Sequence, residues 1–180
     1  TTAPPVPETS RMPFTPEQIA ALWEIQDEPW VDTVLVFLYT GFRLMELLNM
    51  QTEQVDLQQK TFQDGIKTAA GKGRIVPIHP KILPFVQAWA QHGHKYLLTA
   101  DGKKLSKQKY YECWAEVMDR IGADKTPHEA RHTFETSLDN AKANRKCIDL
   151  LMGHKSKDVG NRVYNHKTLE QLRETILLLE

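Results

Sequence analysis

Apolar residues recur at helical spacing along most of this 180-residue chain, but between about residues 54 and 78 the pattern changes. There the sequence runs QVDL, KTFQDGIK and GRIVPI, three short stretches with β-branched residues and polar or glycine-rich turns between them. Such stretches predict a small three-stranded antiparallel sheet. Helical segments on both sides of one small sheet indicate an α+β domain that is mostly helical.

Capping signals mark the start of the first helix. Thr15 is a good N-cap, Pro16 suits the first helical position, and Gln18 completes a capping box. The second apolar segment stops at Gly41, so Arg43 stands at a corner between two helices. The predicted helices cover residues 16–26, 30–39, a third from about 43, then 82–91, 106–121, 127–142, 144–152, 156–164 and 168–179.

Composition excludes several protein classes. The first 13 residues hold four of the ten prolines and no apolar periodicity, which predicts a linker or disordered lead-in over residues 1–13. The longest apolar run, residues 34–39, is too short to span a bilayer, and no signal-peptide pattern is present. Cys113 and Cys147 form no CxxC pair. We therefore expect a cytoplasmic protein that needs no membrane, metal or disulfide to fold.

Charge is unevenly distributed, although 23 Lys and Arg residues balance 23 Asp and Glu residues. Residues 1–66 have a net charge of −7, residues 67–167 a net charge of +9, and residues 168–180 a net charge of −2. A basic middle region is typical of a protein that binds a polyanion on one face. A solvated surface of mixed sign is the alternative reading.

Residues 128–132, HEARH, match the HExxH pattern of zinc proteases. Catalytic zinc needs a third protein ligand. The metzincin continuation fails, because Glu135 and Leu138 stand where glycine and histidine are required. Pro127 also places His128 in the first helical turn. Zinc hydrolysis is therefore the least favoured reading of this segment.

Read as His128-x-x-Arg131, the same segment is one of four boxes that occur in order along the chain. The others are TGFRLMEL at residues 40–47, IKT at 66–68, and MGH at 152–154 with VYNH at 163–166. Together they resemble the boxes of the tyrosine recombinases, also called phage-type integrases, and most closely those of conjugative transposons and phages. The resemblance covers residues 15–178 and implies the fold of the catalytic domain of that family.

The resemblance also implies a function and partners. The expected activity is site-specific DNA recombination, in which strands of duplex DNA are cleaved and rejoined without a cofactor. A homotetramer is expected on DNA and a monomer in its absence, within the bacterial cytoplasm. Residues 14–180 would form the catalytic domain, and the core-binding domain that normally precedes it in the family is expected to be absent from this chain.

Two arginines are assigned to the scissile phosphate by this resemblance. A phosphodiester is negatively charged, and its pentacoordinate transition state carries more charge, so the guanidinium forks of Arg43 and Arg131 would clamp it in a fixed geometry. Glu46 would hold Arg43 or His128 in orientation.

The remaining catalytic roles concern the covalent step. Tyr164 would be the nucleophile, forming a 3′-phosphotyrosyl bond and expelling a 5′-hydroxyl group. Lys67 would protonate that leaving group as the general acid, with Lys72 in the same turn as the alternative. His128 would assist proton transfer, and His154 would hydrogen-bond a non-bridging oxygen.

Further cations are expected to contact the DNA backbone or to be plain solvated charges. They are Lys72, Arg74, Lys103, Lys104, Lys107 and Lys109.

Two alternative functions also involve binding to DNA. A type IB topoisomerase-like enzyme would use similar chemistry without bringing two sites together, and a DNA-binding module would use the boxes only for phosphate contacts. The final helix, residues 168–179, has an apolar stripe that could dock on a neighbouring subunit on DNA or complete the core of its own domain.

Overall fold

The computed structural model describes residues 12–63, 74–154 and 166–180. In these residues the chain forms eight α-helices and two small antiparallel sheets. The helices are α1 (Pro16–Glu24), α2 (Val31–Thr40), α3 (Leu44–Leu48), α4 (Leu83–Ala90), α5 (Lys107–Ile121), α6 (Pro127–Asn140), α7 (Arg145–Met152) and α8 (His166–Ile176). The strands are β1 (Val55–Asp56), β2 (Thr61–Gln63), β3 (Ile75–Pro77), β4 (Thr99–Ala100) and β5 (Lys103–Lys104). The expected α+β class is confirmed.

Helix α1 begins as its capping signals predict. The Thr15 side chain accepts from the Gln18 N–H, and the Gln18 side chain accepts from the Thr15 N–H. The helix ends at Glu24, two residues earlier than predicted, because the Ile25 N–H bonds to the carbonyl of Leu22 in a tighter turn. The early end leaves residues 25–30 as the connection to α2.

Helix α2 lies at the centre of the core. Nine of its ten residues are buried, and it packs mainly against α6 and α1. The helix ends at Gly41, whose φ of 66° places it in the left-handed region, and the Gly41 N–H bonds to the Phe37 carbonyl. A helix that is apolar on all sides can only be an interior helix. Its carboxyl end therefore reaches the site from inside the domain.

The three-stranded sheet is present in the predicted order, with β2 between β1 and β3. Phe62 pairs with Val55 on one side and Val76 on the other. Its ring is fully buried and meets Phe42 edge-on at 5.2 Å between centroids. The turn between β2 and β3 that carries Lys67 and Lys72 lies outside the described residues.

A second hairpin, β4–β5, was not predicted. The sequence indicates only the turn at Asp101-Gly102, whose two residues have φ values of 51° and 75°. Positive φ at both central positions is the geometry of a tight two-residue hairpin, so the turn pairs the residues on either side of it. Lys103 and Lys104 consequently lie on an exposed strand.

The final helix folds back on its own domain. Leu172, Ile176 and Leu179 of the predicted apolar stripe are buried, and α8 packs against β3 and α7. The end of the chain is also tied down, because the Tyr39 hydroxyl donates to the carbonyl of Glu180 at 2.5 Å. The stripe is thus part of the core in the single chain. The predicted helix over residues 156–164 lies outside the described residues.

Removing a buried side chain of α8 is expected to destabilise the isolated domain. Leu172→Ala should lower the free energy of unfolding by about 2–5 kcal/mol, the usual cost of truncating a buried leucine. Leu177 is 60% exposed on the same helical end, so Leu177→Ala serves as the matched control and should stay within about 0.5 kcal/mol. Urea denaturation measures both. Equal stability of the two variants would mean that α8 is not part of the core in solution.

None of the helices in the described part of the chain is both long enough and apolar enough to cross a lipid bilayer.

Candidate active site

Arg131 forms the centre of the site. It lies on the second turn of α6, is 5% exposed, and donates from Nη1 to the Gly41 carbonyl at 2.5 Å and from Nη2 to the Met152 carbonyl at 2.9 Å. These carbonyls lie at the carboxyl ends of α2 and α7, where the partial negative charge of a helix favours a cation. Two helix ends thus hold one guanidinium group in place.

Arg43 lies directly after the Gly41 turn and caps α3. Its N–H donates to Glu46 Oε2 at 2.8 Å, and its Nη1 donates to Glu46 Oε1 at 2.9 Å. The side chain is 52% exposed. Glu46 therefore contacts Arg43, one of the two partners that the resemblance suggested for it, and Arg43 stays accessible from solvent.

Arg74 differs most from the sequence-based expectation. The sequence placed it among surface cations that contact DNA, but its side chain is 7% exposed. It binds Glu46 with both terminal nitrogens, at 3.2 and 2.9 Å, and lies over the Phe42 ring at 5.0 Å. Its Nη1 also lies 3.3 Å from the Met152 carbonyl. The expectation of a solvated Arg74 is wrong, because its charge is satisfied inside the domain.

Arg43 and Arg74 share the Glu46 carboxylate, and Arg131 lies near enough to be influenced by the charges of all three residues. Burial alone would raise the pKa of Glu46, but hydrogen bonds and charge from Arg74, with hydrogen bonds from Arg43, hold that pKa below its usual range. Burial, followed by repulsion from Arg43, lowers the pKa of Arg131 to about 10, so it is still protonated at neutral pH. Three cations, with Glu46 between two of them and Glu135 acting on the third, leave a local excess of positive charge.

Two glycines allow the helix ends to approach these side chains. Gly41 has φ +66°, and a Cβ atom there would lie 2.4 Å from the Phe134 ring. Gly153 has φ +68°, and a Cβ atom there would lie 2.4 Å from Nη1 of Arg74. Any other residue at these positions would strain the backbone and would also push away the Phe134 ring or the Arg74 side chain.

Gly41→Ala should therefore lower the free energy of unfolding by more than the strain of a left-handed backbone alone would. Gly93 provides the control, because it also has a positive φ of 72° but nothing lies within 4 Å of an added Cβ. Gly93→Ala should cost about 1–2 kcal/mol for the left-handed conformation. Gly41→Ala should cost about 1–3 kcal/mol more, because the methyl group overpacks the core against Phe134. Chemical denaturation of both variants measures the difference, and equal losses would contradict the close packing.

His154 lies where α7 ends. Its Nδ1 is 3.2 Å from Asp149 Oδ1, and the residue is partly exposed. His128 lies on the first turn of α6 with its side chain at the surface. Arg131, one turn further along α6, bonds to the carbonyl of Met152, two residues before His154. The fold thus brings the ends of α2, α6 and α7 to one place.

Glu129 has a structural role that the HExxH reading overlooks. Its carboxylate accepts from the Thr126 N–H and hydroxyl, both at 3.2 Å, and lies 3.7 Å from Lys125 Nζ. It is therefore part of the capping box of α6. No group of three or more His, Cys, Asp or Glu side chains that could hold a metal occurs in the described ranges.

The remaining predicted residues fall into two groups. Tyr164, Lys67 and Lys72 lie outside the described residues. The other four predicted lysines are exposed. Lys103 and Lys104 lie on β5. Lys107 lies over the Tyr111 ring at 5.9 Å, and Lys109 Nζ is 3.5 Å from the Glu112 carboxylate. Lys104 also donates to Asn49 at 2.5 Å. The exposure of these four lysines is compatible with the expected contacts to the DNA backbone.

Sequence reasoning missed two parts of this site, the carbonyls that hold Arg131 and the carboxylate beside His154. The carbonyls are main-chain atoms with no signature of their own. Asp149 had a usable signal, because it precedes His154 by five residues across a helix-ending glycine.

Comparison with known proteins agrees with this arrangement. Tyrosine recombinase XerC of Proteus mirabilis is 30% identical over 155 residues, covering 78% of this chain and 48% of that protein. Tyrosine recombinase XerA of Pyrococcus horikoshii is 25% identical over 181 residues, covering 96% and 63%. The chain therefore spans between about half and two-thirds of these relatives.

Solved structures show the same fold. The Tn1549 transposon integrase, solved with circular intermediate DNA, superposes with a TM-score of 0.69 at 21% identity, covering 94% of this chain and 64% of that one. XerA recombinase superposes with a TM-score of 0.68 at 22% identity, covering 97% and 66%. The profile described as "Phage integrase family" matches residues 14–171. With the boxes, the fold and this match in agreement, the chain belongs to the phage integrase family.

Proposed function

We propose that this domain cleaves and rejoins DNA strands in site-specific recombination. The observation that supports it most directly is a group of three guanidiniums. Arg43 and Arg74 pair with the Glu46 carboxylate, and Arg131 lies within electrostatic range of them. A phosphodiester in the course of substitution is the kind of anion that such a site stabilises. Arg74 here would hold Glu46 in place and add positive charge from inside the domain.

The two phosphate-binding arginines would act differently. Arg131 is fixed by two carbonyls, so its position changes little when DNA binds. Arg43 is half-exposed and held on one side by Glu46, so it can meet the phosphate from the solvent side. Preorganised donors cost little reorganisation when charge develops in the transition state.

Tyr164 would carry the covalent step. Its phenolic oxygen attacks phosphorus, the P–O5′ bond breaks, and a 3′-phosphotyrosyl bond takes its place. Lys67, or Lys72 in the same turn, would donate the proton that the departing 5′-oxygen needs, and His128 would help remove the proton from the tyrosine. In rejoining, a 5′-hydroxyl attacks and the tyrosine leaves, so the bond energy is conserved.

The names of the relatives favour recombination over simple DNA relaxation. XerC and XerA are tyrosine recombinases, and the Tn1549 integrase was solved with circular intermediate DNA. Duplex DNA is therefore the proposed partner, with a homotetramer assembled on it and a monomer in its absence. The basic region over residues 67–167 would supply the DNA-binding face.

Trapping the covalent intermediate tests the proposal. The chain is incubated with a pool of duplexes that carry a single nick and randomised sequence around it, so that cleavage next to the nick releases a short strand and prevents rejoining. A covalent protein–DNA adduct is expected, and mass spectrometry should locate the nucleotide on the peptide that contains Tyr164. A non-catalytic DNA-binding module would bind the pool without forming any adduct.

A further inference from the structure

Asp149 lies beside His154 although no box of the family resemblance includes it. Asp149 Oδ1 is 3.2 Å from Nδ1 of His154 and 3.1 Å from Nη2 of Arg145. One carboxylate oxygen thus meets a histidine from the candidate site and an arginine from outside it. The two acidic groups that Arg145 also contacts belong to α6.

The way in which α7 ends produces this contact. The His154 N–H bonds to the Asp149 carbonyl at 3.0 Å, and the Gly153 N–H bonds to the Leu150 carbonyl at 3.2 Å, with Gly153 in the left-handed region. This pair of hydrogen bonds is the Schellman motif, which brings the sixth residue back over the first. His154 is therefore connected to Asp149 through both the main chain and the side chain.

We propose that Asp149 is a positioning residue for His154 in the cleavage reaction, an inference that rests on the proposed function. An ionised carboxylate can only accept hydrogen bonds, so the contact makes Nδ1 the donor and fixes the orientation of the ring. The nitrogen assigned to the phosphate is then Nε2. Without Asp149 this acceptor no longer selects the tautomer that carries the proton on Nδ1.

Arg145 keeps the carboxylate in place. It donates to Glu135 Oε1 at 2.7 Å and to both oxygens of Asp139 at 3.3 Å, so it connects α7 to α6. Arg131 lies one helical turn before Glu135 on α6. The network therefore joins the helix that carries Arg131 to the carboxylate that orients His154.

A double-mutant cycle tests the proposal with the nicked-duplex substrate. Asp149→Ala should slow single-turnover cleavage by about 10- to 100-fold, the range known for carboxylates that orient metal-bound histidines, while the Kd for DNA stays near the wild-type value. In a His154→Ala background, Asp149→Ala should have no further effect. Asp149→Asn keeps an oxygen acceptor and should recover part of the rate. Asp139→Ala removes another Arg145 partner but no contact to His154, so it should slow cleavage less than Asp149→Ala does.

The outcomes that oppose the proposal are distinct. If Asp149→Ala slows cleavage equally with and without His154, its effect is structural and the positioning role is wrong. A wild-type rate for Asp149→Ala also overturns it. The absence of any adduct with wild-type protein would instead refute the proposed function.

Nuclear magnetic resonance tests the positioning role without any DNA. The ¹⁵N shifts of the His154 ring, recorded at pH 9, should identify Nδ1 as the protonated nitrogen in the wild-type chain. In Asp149→Ala the same ring should show a mixture of the two tautomers or a majority with Nε2 protonated. An unchanged tautomer would overturn the assignment even if cleavage were never observed.

Discussion

Tyr164→Phe is expected to abolish the covalent adduct while leaving DNA binding intact. The substitution removes only the hydroxyl group, so the nucleophile is lost while the arginines and the basic face remain. The rate of adduct formation should fall by roughly 10⁴-fold or more, as when the nucleophile of other covalent enzymes is removed. Denaturing gels measure the adduct, and a mobility-shift assay measures DNA binding.

Tyr111→Phe is the matched control for this experiment. Tyr111 is 43% exposed on α5, and Lys107 lies over its ring, so it lies beside a lysine expected to contact DNA but outside every box. The control should form the adduct at the wild-type rate. A persistent adduct in Tyr164→Phe would mean that another tyrosine is the nucleophile.

Arg131→Lys should reduce cleavage by roughly 10²- to 10³-fold, comparable to the loss of a main transition-state donor elsewhere. Lysine keeps the positive charge, so the Kd for DNA should rise only modestly. A single ammonium group cannot reach the Gly41 and Met152 carbonyls and still present a planar pair of donors to the phosphate. Single-turnover kinetics at saturating protein separates cleavage from binding.

Arg120→Lys controls for a general effect of losing a guanidinium group. Arg120 donates to the carbonyl of Pro29, before the amino end of α2, whereas Arg131 binds just after its carboxyl end. Its replacement should leave the cleavage rate unchanged. Equal cleavage by Arg131→Lys and wild type would contradict the clamp.

The sequence predicted correctly those structural features that depend on interactions between residues close together along the chain. The α1 cap, the helix end at Gly41 and the three short strands all depend on residues that are neighbours along the chain. The second hairpin was missed because its two-residue strands are too short to show alternation. The Asp149 contact was local too, but it required the helix-end geometry to be read together with a side chain.

Arg74 shows the limit of such reasoning. In the basic run GKGR it has the pattern of a surface cation. Its burial depends on Glu46, 28 residues earlier, and on the Met152 carbonyl, 78 residues later. Contacts between residues so far apart along the chain leave no repeating pattern in a single sequence. The same holds for α8, whose apolar stripe fits a partner subunit as well as its own core until the fold is known.

The two carbonyls that hold Arg131 also make the proposed cleavage site dependent on the completed fold. They lie 90 residues before and 21 residues after the arginine, at the ends of two helices that the tertiary structure brings to α6. A partly folded chain can carry all the boxes and still lack a fixed guanidinium. For the proposed strand cleavage this dependence acts as a safeguard, because a chain in which either helix end is displaced lacks the fixed guanidinium that the reaction needs.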